Sequence, residues 1–365
     1  MKKLLLLVVL MCFTAFAVHA TEIDEQMDTA GVGELNSVSK GAQEFEGNFN
    51  YEEQVRKSVS EGVKVNGTDI IQKAGELFFG EIRKSIADMG KIILTIIIFA
   101  IILRFVPSES TVAEAAFYVT YAVVFAMALY MFKEAAQTGT ELIDELNFFV
   151  KAAVPVMCTL AVPGGQIISS TATAGIIAGI CVVCEAAASV LMPMTYLMAS
   201  LSAANNLSPE ISLKGLERTI RRVIMWSIGI IMTVFVSLLK IRGITGASLD
   251  NVAGKTVKFA VGNMIPFVGG IISDSLENIV AYSKAIKSGC GAVGIIAIIY
   301  MIIPPLIKIA GMLAAMRITS IVTSPVADTR ISGAIDNFSD ILGLVLIITV
   351  VVSILFITAM GSLSV

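Results

Sequence analysis

Ile341-Leu342-Gly343-Leu344-Val345-Leu346-Ile347-Ile348-Thr349-Val350-Val351-Val352-Ser353-Ile354-Leu355-Phe356-Ile357-Thr358-Ala359-Met360 runs for 20 positions without one charge. A helix rising 1.5 Å per residue needs about that length to cross a hydrocarbon core of about 30 Å. Working outward, comparable spans lie at about 89–106, 113–132, 175–200, 223–239 and 289–315. The pattern predicts an all-α polytopic membrane protein with six to eight transmembrane helices. Two further apolar stretches are shorter and interrupted. One, at 148–163, holds Pro155 and Pro163 and is followed by Gly164 and Gly165; the other, at 257–272, holds Gly262, Pro266, Gly269 and Gly270. These read as broken, re-entrant segments, which survive at membrane depth only where protein or water satisfies the backbone. Six crossings plus two re-entrant segments is the preferred count.

Composition agrees. Of 365 residues, 56% are apolar and 15% charged, where a soluble domain carries roughly 25% charged residues. Residues 21–91 hold 14 acidic and 8 basic side chains, residues 92–365 hold 15 and 16. No segment has the positive excess that nucleic-acid binding requires. Met1-Lys2-Lys3 followed by an apolar run from Leu4 to Val18 and by His19-Ala20 reads as a signal peptide over 1–20. The single histidine, His19, lies in that leader, so the expected mature chain has no His-based nucleophile system, zinc site or proton shuttle. Cys181 and Cys184 form a C-x-x-C inside an uncharged stretch and read as small apolar residues of a membrane helix. Gly254-Lys255-Thr256 lacks the earlier glycine of a phosphate-binding loop, Leu249 standing there. No enzyme activity, metal or cofactor is expected.

The segment 21–91 is polar and extracytoplasmic in this reading, with little order expected through about Asn50. Val55, Val59 and Val63, then Ile70, Ile71, Ala74, Leu77, Phe78, Ile82 and Ile86, recur at helical steps on either side of Asn66-Gly67. They predict two amphipathic helices that either bind a partner or cover the membrane domain, 92–365. The charged stretch 133–147, with Lys133, Glu134, Glu141, Asp144 and Glu145, reads as an outside loop.

The two interrupted stretches resemble each other. Val150-Lys151-Ala152-Ala153-Val154 aligns with Val257-Lys258-Phe259-Ala260-Val261, and Gly164-Gly165 with Gly269-Gly270. Met192-Pro193 and Ile303-Pro304 correspond further on. A tandem repeat follows, with unit A at about 113–222 and unit B at about 223–360. Duplicated units with interrupted segments at matching positions point to a site or passage between them. Ionisable groups inside apolar helices are costly and so become candidates. Glu185, mid-helix, is the foremost, and Lys308, after Pro304-Pro305, the second. With Pro163, Gly164, Gly165, Pro266, Gly269 and Gly270 they form the expected gate.

Val261-Gly262-Asn263-Met264-Ile265-Pro266-Phe267-Val268-Gly269-Gly270, then Ser273-Asp274, and Ile286-Lys287 leading into a helix start at Gly291–Gly294 resemble the stage III sporulation protein AE family over essentially the whole chain. The resemblance implies a place in the mother-cell membrane around the forespore of an endospore former. It implies a channel-like complex with the other membrane proteins of its operon, among them a secretion-type ATPase and ring-forming proteins, and with a forespore-side partner. It carries over no catalytic residue. A stand-alone transporter for a small solute and a structural membrane scaffold are the alternative functions.

Overall fold

A computed structural model describes residues 23–62, 66–105, 110–162, 167–207, 213–237 and 269–364. Every described element is helical: α1 at 23–30, a single 3-10 turn Val32–Glu34, α2 Leu35–Val38, α3 Lys40–Glu46, α4 Tyr51–Glu61, α5 Gly67–Phe105, α6 Thr111–Ala161, α7 Ile167–Leu207, α8 Lys214–Ser237, α9 Gly269–Thr323 and α10 Thr329–Ser364. The last six are each long and apolar enough to cross a membrane, in agreement with the predicted class.

Local chemistry sets the boundaries. The Asn50 side chain accepts from the Glu53 amide to start α4, with Glu52 and Glu53 in the first turn, and Gly62 at φ 78° follows its end. The Ser110 side chain accepts from the Ala113 amide to start α6. Pro155, Pro193, Pro304 and Pro305 all lie inside helices. In a bundle of membrane helices, neighbouring side chains and local adjustment re-satisfy the carbonyls that such prolines free.

The core is a four-helix bundle of α6, α7, α9 and α10, and side-chain pairs fix the directions. Phe132 lies 6.5 Å from Phe338, while Gly139 meets Thr349; α6 and α10 therefore run the same way. α7 is antiparallel to α6, since the Tyr121 hydroxyl donates to the Ala203 carbonyl at 2.9 Å whereas Lys151 pairs with Glu185. α9 is antiparallel to α10, with Arg317 on Asp340 at one end and Gly291 against Ser364 at the other. A Cβ on Gly291 would lie 2.0 Å from the Ser364 Cβ, and one on Gly294 2.1 Å from the Met360 Cε. Both glycines are interior to α9, so the helix start expected there falls instead at Gly269; their role is close packing of two helices.

The segment 23–62 corrects a second expectation, because it is ordered. Met27, Val32, Leu35, Ala42, Tyr51 and Val55 are fully buried. These sparse apolar residues dock on the bundle, although local composition alone forecasts no core. The Tyr51 hydroxyl donates to the Cys290 carbonyl at 2.6 Å, the Gly41 amide to Glu145 at 2.9 Å, and Ser283 to Gln26 at 3.0 Å. Phe45 and Phe49 pack on Tyr300. These helices form a cap over one end of the bundle. Burial pushes the Tyr51 hydroxyl's pKa well above 10.0, reinforced by the neighbouring Cys290 thiol.

The expected loop 133–147 is the third correction. It is the middle of α6, an unbroken 51-residue helix about 75 Å long. Ala135, Ala136, Gly139, Leu142, Ile143 and Leu146 are buried at three- and four-residue steps. This amphipathic period is hidden when hydropathy is averaged across five charges. The stretch 148–163 belongs to the same helix through Ala161, with Pro155 inside it; Pro163 and the rest of that junction, and most of 257–272, lie outside the described residues.

Candidate functional site

Gly139 is where α6, α7, α9 and α10 meet. A Cβ there would lie 2.7 Å from Thr349 Oγ1, 3.1 Å from Met192 Cε and 3.7 Å from Ile309 Cδ1. Thr349 is the ninth residue of the uncharged run 341–360. Gly139 therefore stands near mid-height of α10, the most apolar of the candidate spans among the described residues. Yet Lys133, Gln137, Glu141, Asp144 and Lys151 of α6 are all exposed, within about 18 Å of Gly139 along the helix axis. Their spacing of four, four, three and seven keeps them on one face. Gln137 donates to Glu141 at 2.9 Å along that face.

The two ionisable candidates join this flank at different heights. Lys308 of α9 pairs with Glu134 at 2.9 Å, each side chain about a third exposed (31%). Glu185 of α7 accepts from Lys151 at 3.3 Å and from the side-chain Nδ2 of Asn147 at 3.4 Å. Glu134 and Lys151 are 17 residues, about 25 Å, apart along α6, so Glu185 and Lys308 belong to two separate ion pairs. Glu185 is 60% exposed and Lys151 52%; the carboxyl set mid-helix in an apolar stretch is one half of an exposed ion pair. Asn147 is buried, and its Oδ1 has no hydrogen-bond partner among the described residues. Glu134 and Asn147 are functional candidates that the sequence reading missed. The signal that finds them is the helical period through 133–147.

The rest of the expected gate is less complete. Gly269 and Gly270 are the first two residues of α9, while Pro163, Gly164, Gly165 and Pro266 fall outside the described residues. Cys181 and Cys184 are free, buried thiols on α7. Among the described residues no group of three or more histidines, cysteines and carboxylates is arranged to hold a metal ion.

At the opposite end, the starts of α8 and α10 meet the end of α9. Asp340 accepts from Arg221 at 3.2 Å and also from Arg317, and Ser320 donates to Asp336. The Arg330 guanidinium lies 3.6 Å from the centre of the Phe117 ring.

Fold and site together define a multi-pass helical membrane protein, capped at one end, with one polar flank beside the uncharged run of α10. Residues 49–363 match the family model of stage III sporulation protein AE, and the chain belongs to that family. A curated relative, the stage III sporulation protein AE of Bacillus subtilis (strain 168), is 23% identical over 279 residues, covering 73% of this chain and 69% of the relative. No solved structure matches. Membership assigns the protein a part in sporulation.

Proposed function

We propose that the protein is a membrane component of a channel-like sporulation complex in the mother-cell membrane around the forespore, and that the polar flank of α6 borders its aqueous passage. One observation carries this reading: exposed Gln137, Glu141 and Asp144 lie level with the uncharged run of α10. A charge facing hydrocarbon at mid-depth costs about 2.5–3.5 kcal/mol even on the lenient insertion scale. A flank with several such groups is stable there only against water or another polar surface. Other exposed positions of the bundle are apolar, with Val182, Val183 and Val190 of α7 and Ile347 and Ile354 of α10 exposed, as a lipid-facing surface requires. Gly269 and Gly270 at the start of α9, with the partly matching 163–165 segment, serve as the gate of this passage. The duplicated units A and B supply its two sides. Energy comes from an associated secretion-type ATPase, with ring-forming proteins and a forespore-side protein completing the conduit.

The test uses the full chain in sporulating cells, with its own cysteines replaced and single cysteines placed at Gln137, Glu141, Asp144, Ile347 or Ile354. A membrane-impermeant thiol reagent is expected to label the three α6 positions and spare the two α10 positions. Protection of all five, or labelling of all five alike, overturns the reading. Uptake of a small solute by the purified chain alone in liposomes would establish a stand-alone transporter instead. Wild-type spore yield from Gln137→Leu/Glu141→Leu/Asp144→Leu would leave a scaffold.

A further inference from the structure

The outward side of α8 carries a row that no contact within the bundle explains. Ile224, Ile228 and Phe235 turn inward and are buried. Away from that stripe, Lys214, Arg218 and Arg222 follow one another at steps of four along a ridge that turns about 40° per step round the helix. The next step, Trp226, is the one that points directly away from the buried stripe. Ile230 and Val234 continue the row, both exposed. All three bases are exposed and close no ion pair among the described residues, whereas Arg221, turned toward the bundle, is paired with Asp340. Glu217 is the one acidic side chain on this helix, against four bases within nine residues. Trp226 is 70% exposed, one turn beyond Arg222.

The geometry points to a binding site for the headgroup of an anionic phospholipid on α8, formed by Lys214, Arg218 and Arg222, with Trp226 at the glycerol level beneath it. The order along the row matches the order of chemistry across a bilayer face: phosphate, interface, acyl chain. Basic side chains belong with the phosphates, an indole with its N–H belongs at the interface, and Ile230 and Val234 belong in the hydrocarbon. The bound group is a phosphate monoanion held by two or three cations, and the acyl chains that follow it cover Ile230 and Val234. This distinguishes a lipid from a free anion, which would leave those residues bare. The site also fixes orientation, because it places the basic end of the bundle against the leaflet that bears anionic lipid. It does not depend on the passage proposed above.

Trp226 is the single tryptophan of the chain, so intrinsic tryptophan fluorescence reports on this site alone. Full-length protein is reconstituted in phosphatidylcholine vesicles containing a fixed fraction of either brominated phosphatidylglycerol or brominated phosphatidylcholine. Each basic side chain near an anionic surface is worth roughly a fivefold preference. Quenching is therefore expected to favour the anionic lipid by at least about fivefold at moderate salt. Lys214→Gln/Arg218→Gln/Arg222→Gln removes the preference while quenching by brominated phosphatidylcholine persists. Arg221→Gln keeps most of it. Equal quenching by both lipids in the unmodified protein, or none by either, overturns the site whatever the variants do. Equal loss from Arg221→Gln attributes the effect to overall charge and also overturns it. Abolition of the preference by inorganic phosphate, at a concentration where chloride of equal ionic strength has no effect, reassigns the site to a free anion.

Discussion

α6 and α10 touch at Gly139 and Thr349 and run in the same direction, but they are built for different surroundings. α10 has no charge from Ile341 to Met360, and most of that run is buried or half-buried. α6 at the same height buries alanines, leucines and a glycine on one side and exposes Lys133, Gln137, Glu141 and Asp144 on the other. The bundle is therefore sided: one flank is finished for an apolar neighbour and the other for water or a polar partner. A stand-alone membrane bundle would have its polar groups turned inward. The outward polar stripe is the feature that asks for company.

The most damaging way to break the comparison is to push the two helices apart. Gly139→Leu places its Cβ within 2.7 Å of Thr349 Oγ1 and is expected to destabilise the protein by roughly 2–3 kcal/mol as an overpacked core. Gly139→Ala is expected to cost less, and Thr349→Ala to recover part of that loss. Thermal unfolding of the purified protein in detergent, run as a double-mutant cycle, checks both; additive effects would mean that the contact does not exist in solution.

The next effect lies in the cap, which holds α6 and α9 together at the far end. Tyr51→Phe removes the hydroxyl from the Cys290 carbonyl and leaves a buried acceptor, at a cost of about 1–2 kcal/mol. pH sharpens this. Because burial raises the pKa of Tyr51 above its unfolded value of 10.0, its contribution is complete below pH 10 and is lost as pH rises beyond that toward the folded value. Proteolysis of residues 23–62 should accelerate above pH 10 in the wild type, and Tyr51→Phe should remove much of that pH dependence.

The smallest effect is on the polar flank. Lys308→Met leaves Glu134 without its partner and is expected to cost on the order of 1 kcal/mol, since both groups are about a third exposed. Lys308→Met/Glu134→Met is expected to regain most of it in stability, while lowering spore yield if the pair borders a passage. Restored stability with undiminished yield would confine the pair to a packing role.

How much of this was legible in the sequence follows from the same two helices. The α10 run reads directly, because 20 uncharged residues leave a single solution. α6 does not, because its charges fall on a strip that hydropathy averaging merges with the buried face, so a continuous helix reads as a loop. The order of residues 23–50 was also hidden: Met27, Leu35 and Ala42 are too few for a core of their own and become one only against α6 and α9. Glu185 and Lys308 could be picked out as costly ions in apolar surroundings. Lys151 also stood out, at its place in the repeat, but Glu134 did not, and neither pairing could be read, because pairing across helices is decided by packing that no local pattern records.

A rod as long as α6 has a mechanical corollary. It packs on the bundle at Gly139 near its middle, is tied to Ala203 through Tyr121 toward its start, and to Gly41 through Glu145 about 9 Å beyond Gly139. With arms of about 42 Å toward Thr111 and about 33 Å toward Ala161, a rotation of about 10° about Gly139 would sweep the tips through roughly 6–7 Å. A displacement at one tip of the rod would therefore reach the other as a stroke of about the same size in the opposite direction.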